Sequence, residues 1–77
     1  MYINFTMEAG GKRTDVSADG RRRISDIFIL LRENGKAGGG SVPAYFSSAL
    51  LGKLVSANGT LAESGIVDGD LLSECTE

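Results

Sequence analysis

A chain of 77 residues holds one compact core and has no room for a second domain, so residues 1–77 are read as one unit. Hydrophobic residues at 42% and charged residues at 23% exclude the polar, highly charged composition of chains that stay disordered. A formal net charge of -2, from 8 Lys and Arg against 10 Asp and Glu, excludes an overall basic field, and no nucleic-acid partner is expected.

In chain order, Tyr2 to Met7 alternates, with Ile3, Phe5 and Met7 on one face and Tyr2, Asn4 and Thr6 on the other. Period two predicts a half-buried strand. Ala9-Gly10-Gly11-Lys12 supplies a turn, and the polar run Arg13 to Ala18 predicts the second strand of an amino-terminal hairpin. After Asp19-Gly20, the residues Ile24, Ile27, Phe28 and Leu31 recur at i, i+3, i+4 and i+7, one face of an amphipathic helix that ends at Asn34-Gly35. At about 100° per residue, Ile29 falls nearly opposite that stripe and Leu30 at its edge, which makes Ile29 a candidate exposed contact.

The run Lys36 to Ser41 is too rich in glycine for helix or strand and reads as a flexible surface loop. Tyr45 to Ala49 predicts a third strand, and Leu54-Val55 a short fourth after a turn at Gly52-Lys53. Thr60-Leu61-Ala62-Glu63 has the pattern of a capping box, with space for only one helical turn before Gly65. Asp68-Gly69 then turns the chain into a last strand at Leu71-Leu72. Hairpin, helix, two short strands, turn and final strand predict an α+β fold, a mixed sheet of four or five strands with one helix packed across it.

That order is the order of the β-grasp, and Gly52 to Ile66 resembles the second half of ubiquitin-like domains. The run Thr60 to Leu72 resembles most the bacterial YukD/EsaB family and the ubiquitin-like domain of the EccD membrane component, both of type VII (WXG100) secretion. The resemblance implies that Leu61 and Ile66 are core anchors and that Asp68-Gly69-Asp70 forms a tight turn. It also implies a bacterial cytoplasmic protein whose partner is another protein, a secretion ATPase or a membrane component. Two departures matter. Ubiquitin and the sulfur carriers present a mobile tail ending in two glycines, whereas this sequence runs out in Glu74-Cys75-Thr76-Glu77; conjugation is not expected unless a longer precursor exists. The apolar recognition patch of ubiquitin is expected to be missing, because small residues such as Ala9 and Ala49 fall near its place.

With no histidine, His-based triads and imidazole metal sites are excluded, and no enzyme activity, cofactor or metal is expected. Cys75 is single, which fits a reducing compartment, and adjacent Glu74 disfavours a reactive thiolate. Neither Gly35-Lys36 nor Gly52-Lys53 completes a phosphate loop, and Asp68 with Asp70 supplies too few oxygens for calcium. The amino end has no basic and apolar leader, and no stretch approaches the roughly 20 apolar residues of a membrane span, so no membrane insertion is expected.

One charge cluster stands out. Arg21-Arg22-Arg23 places three cations before a helix, where they oppose its dipole. Read blandly, it is a solvated helix entry; read functionally, it docks an acidic protein surface or anionic lipid headgroups. The candidate partner-binding set is Arg21, Arg22, Arg23, Ile29 and Tyr2. The function expected is that of a non-conjugating ubiquitin-like accessory or regulatory protein of a type VII system. The alternatives are a modifier or sulfur carrier whose Gly-Gly tail lies outside the sequence, and a free-standing ubiquitin-like adaptor of another complex. The oligomeric state does not follow from the sequence.

Overall fold

The computed structural model describes residues 1–35 and 42–75, so the expected Lys36 to Ser41 loop lies outside the described residues. The alternation at the amino end builds β1 (Tyr2–Ala9), with Ile3, Phe5, Met7 and Ala9 buried. Gly10 and Gly11, at φ of 60° and 77°, take left-handed conformations that glycine adopts at little cost. They return the chain as β2 (Lys12–Asp19), paired antiparallel along the whole of β1 from Tyr2↔Asp19 to Ala9↔Lys12.

The helix α1 spans Ile24–Glu33 and buries Ile24, Ile27 and Phe28; Asn34 caps it and Gly35 follows at φ 72°, where a helix stop was expected. Strands β3 (Tyr45–Ser48) and β4 (Lys53–Ser56) form a second hairpin. The capping box is present: in α2 (Leu61–Ser64), Thr60 Oγ1 accepts from the Glu63 N–H at 3.0 Å and the Thr60 N–H donates to Glu63 Oε1 at 3.0 Å. Gly65 ends this turn at φ 79°.

The last strand, β5 (Leu71–Glu74), lies parallel to β1 and antiparallel to β3, and so joins the two hairpins in the sheet order β2-β1-β5-β3-β4. Five strands with one long helix across them are the ubiquitin-like β-grasp. Phe46, Ile24, Leu61 and Leu72 are sealed from solvent between helix and sheet, and the Phe28 and Phe46 rings meet in a tilted contact 5.8 Å apart. Burying each such side chain contributes about 1.5–3 kcal/mol. Leu61 and Ile66, the anchors expected from the resemblance, are both buried.

Candidate docking surface

The three arginines occupy the passage from β2 to α1, and their backbone is fixed from both sides. The Arg22 N–H donates to the Asp19 carbonyl at 2.9 Å, the Leu61 N–H donates to the Arg22 carbonyl at 3.0 Å, and the Ala62 N–H donates to the Gly20 carbonyl at 2.9 Å. Arg23 pairs in an isolated bridge with Thr60. The start of α2 is thus satisfied by the arginine segment. The start of α1 is satisfied by other carbonyls: Ile24 N–H bonds Gly59 at 3.1 Å and Ser25 N–H bonds Ala57 at 2.8 Å. With the first two donors used, the entry to α1 offers mainly side-chain charge.

The three side chains then have different fates. Arg21 is held by Asp19 through its backbone N–H at 2.9 Å and Nε at 3.2 Å. The side-chain and backbone hydrogen bonds from Arg21 bring the Asp19 carboxyl down to about 2, and the same carboxylate raises the Arg21 guanidinium. The amino terminus adds a weak ion pair to Asp19 at 3.9 Å. Arg23 is exposed, and its charge joins the Thr60 hydrogen bonds in lowering the Glu63 carboxyl. Neither Arg22 nor Arg23 has a side-chain hydrogen bond or ion pair among the described residues, and of these two only Arg22 borders a groove.

Arg22 instead borders a groove of about 170 Å³ between β2 and α1, walled by Val16, Ala18, Ile27, Leu30 and Leu31, with Tyr2 at its rim. Tyr2 is 66% exposed and stands opposite Asp19 across the hairpin. Two residues singled out from the sequence, Tyr2 and Arg22, therefore meet at one site. Ile29 does not join them. It is half-buried, whereas Leu30 at the edge of the stripe is 50% exposed and lines the groove. Burial on this helix is decided by what surrounds it, not by its own periodicity. An exposed cation and an aromatic thus stand beside apolar walls. A larger, more open depression of about 330 Å³ on the outer sheet face is lined by Asn4, Thr6, Asp15 and Ser17, and lacks that combination.

The outer sheet surface also differs from expectation. Ala9 is 2% exposed and belongs to the core, because the period of β1 carries it to the face of Ile3, Phe5 and Met7. Ala49 is exposed, and so are Tyr45 on β3, Leu54 on β4, and Leu50 and Leu51 on the β3–β4 turn. That turn rests on a polar centre that the sequence did not reveal. Asp70 is buried; its carboxyl accepts from Ser48 Oγ at 2.5 Å, the Leu50 N–H at 3.1 Å and the Leu71 N–H at 2.7 Å. Asp68 accepts from the Asn4 N–H at 2.8 Å. The two aspartates of the expected turn thus tie β5 to different neighbours, and among the described residues no cluster of acidic, His or Cys side chains could hold a metal. Cys75 is half-buried beyond β5, its N–H bonded to the Tyr45 carbonyl at 3.2 Å.

Among the described residues, no helix is long and apolar enough to cross a membrane. No family model matches the sequence, and no curated protein does. Solved structures do. The ubiquitin-like domain of Plasmodium falciparum Dsk2 is similar over 97% of this chain and 100% of its own, at 20% identity and a TM-score of 0.61. The EccD5 ubiquitin-like domain from Mycobacterium xenopi is similar over 100% of this chain and 98% of its own, at 18% identity and a TM-score of 0.52. A chain of the MycP5-free ESX-5 inner membrane complex is similar over 99% of this chain but 22% of its own, at 23% identity and a TM-score of 0.53. At these identities the likeness is one of fold, and the fold they share with this chain is the ubiquitin-like domain.

Proposed function

We propose that this domain is a non-conjugating, cytosolic accessory or regulatory protein of a bacterial type VII secretion system that acts by docking on another protein. The observation that carries the reading is the joining of Tyr2, Arg22 and Leu30 on one groove, a surface suited to noncovalent recognition. The assignment to secretion is supported by the YukD/EsaB-like run Thr60 to Leu72 and by likeness in fold to an EccD5 domain and to part of an ESX-5 inner membrane complex. The partner is a cytosolic face of the secretion machinery, an ATPase or a membrane component, presenting carboxylates beside an apolar contact. Capture of the tagged domain from its host should recover such a component. Charge reversal of Arg22 to Glu should weaken that capture about tenfold, about 1.4 kcal/mol, while Arg21→Ala, which removes a cation already held by Asp19, should weaken it less. Recovery without any secretion component would overturn the assignment, and indifference to Arg22→Glu would overturn the surface.

A further inference from the structure

β2 is one outer edge of the sheet and runs for eight residues, against four in β4 at the other edge. The bond from the Gly20 N–H to the Met1 carbonyl, 2.9 Å, fixes which main-chain groups of β2 face β1. Because these alternate in an antiparallel ladder, Thr14, Val16 and Ala18, opposite Met7, Phe5 and Ile3, bond inward. Arg13, Asp15, Ser17 and Asp19 turn theirs to the open edge. The Asp19 carbonyl is taken by Arg22, but the N–H and C=O of Arg13, Asp15 and Ser17 have no partner among the described residues. A long edge of this kind is a template for another strand.

We infer that the strand it accepts is β2 of a second copy of this chain, antiparallel about a twofold axis through Val16. The charge pattern selects this occupant. In that register Arg13 stands opposite Asp19 of the other copy at both ends, Asp15 stands opposite Ser17, and residues 13–19 of β2 are paired. Shifting it by two residues in one direction sets Asp15 against its own copy; in the other it sets Asp15 against Asp19 and Arg13 against Arg21. Like charges directly opposite are destabilising. The charged edge therefore repels most strands while matching itself. The present partners, Glu8 for Arg13 at 3.3 Å and Arg21 for Asp19 at 3.2 Å, are exposed surface pairs, which contribute little and can be shared or exchanged.

The apolar residues agree with the charges. The twofold axis is perpendicular to the sheet, so both helices lie on the same face. Val16 meets its own copy as a close, non-hydrogen-bonded pair, and Leu30 and Leu31, which wall the groove above β2, flank the seam in both copies. Two five-stranded sheets become one. Arg22 and Tyr2 lie off the paired residues, so the end of the groove that they border stays open at each end of the seam, and the pairing holds whichever complex the domain serves.

Sedimentation velocity of the intact chain from about 10 μM to about 1 mM, the range of weak association, tests this. The expected result is a concentration-dependent rise from 8.1 kDa to twice that mass. R13D and D19R should each remain monomeric, because each sets like charges opposite one another at both ends. An equimolar mixture of the two should restore the dimer, since each copy then presents the charges the other lacks, and only folded variants could do so. In the wild type, the amides of Arg13, Asp15 and Ser17 should gain protection from hydrogen exchange as concentration rises. A monomer throughout the range, a dimer indifferent to R13D, or a mixture that stays monomeric would overturn the proposal.

Discussion

Asp19 accepts hydrogen bonds from both the backbone N–H and the Nε of Arg21, at 2.9 and 3.2 Å. In the sequence, Arg21, Arg22 and Arg23 are equivalent; in the structure Asp19 occupies Arg21, leaving Arg22 as the cation over the groove. The sequence signal existed in the spacing of Asp19 from Arg21, but it acquires meaning only once β2 ends there. Because Arg21 lowers the folded-state pKa of Asp19 to about 2, below the ordinary aspartate value of about 3.9, this contact contributes stability that is full above the ordinary value and lost as pH falls through about 2. A carboxyl titration followed by NMR should therefore place Asp19 low in the wild type and higher in Arg21→Ala, though still below the ordinary value, because the backbone N–H of residue 21 and the amino terminus remain beside it. Asp70 was legible only as a turn residue, because the burial that gives it three hydrogen bonds comes from β3 and the β3–β4 turn, some twenty residues away. Asp70→Ala strands the Ser48 hydroxyl and the Leu50 N–H, and should cost about 3 kcal/mol in denaturant unfolding, with faster exchange of the Leu50 and Leu71 amides.

The elements were the most legible level, since each rests on local chemistry. Alternation gives β1, Gly10-Gly11 the hairpin turn, and Asn34-Gly35 the end of α1. The box of Thr60 and Glu63 is the clearest case, four residues that state their own hydrogen bonds. Thr60→Ala should lower stability by about 1 kcal/mol, and because α2 is bonded to the carbonyls of Gly20 and Arg22, it should also loosen the arginine segment, seen as faster amide exchange at Leu61 and Ala62. Element lengths were less legible: β1 extends to Ala9 and β4 covers Lys53–Ser56, since cross-strand pairing recruits residues such as Glu8 and Lys53 that have no marked strand preference of their own.

At the scale of the molecule, the element order and the run Thr60 to Leu72 pointed to the β-grasp, and the sheet order agrees. What the order could not give is which residues come together at a surface, because β2 and α1 form the groove only after β1 has fixed the register of the hairpin and the helix has crossed the sheet. This is why Tyr2 and Arg22 could be named separately but not as neighbours, and why Ile29 was preferred to Leu30. The core that holds this arrangement is small. Phe46 touches Phe28 across it and is fully buried, so Phe46→Ala should cost about 3–5 kcal/mol, a large part of the total stability expected of a chain of 77 residues, and should show as a greatly lowered thermal transition. Whether the groove between β2 and α1 is a docking surface is read from amide shifts of the isotope-labelled domain titrated with the cytosolic part of a type VII membrane component. Changes centred on Tyr2, Asp19 to Arg23 and Leu30, abolished by Arg22→Glu, are expected; changes centred instead on Tyr45, Leu50 and Leu54, or none at saturating concentrations, would rule out docking at the groove.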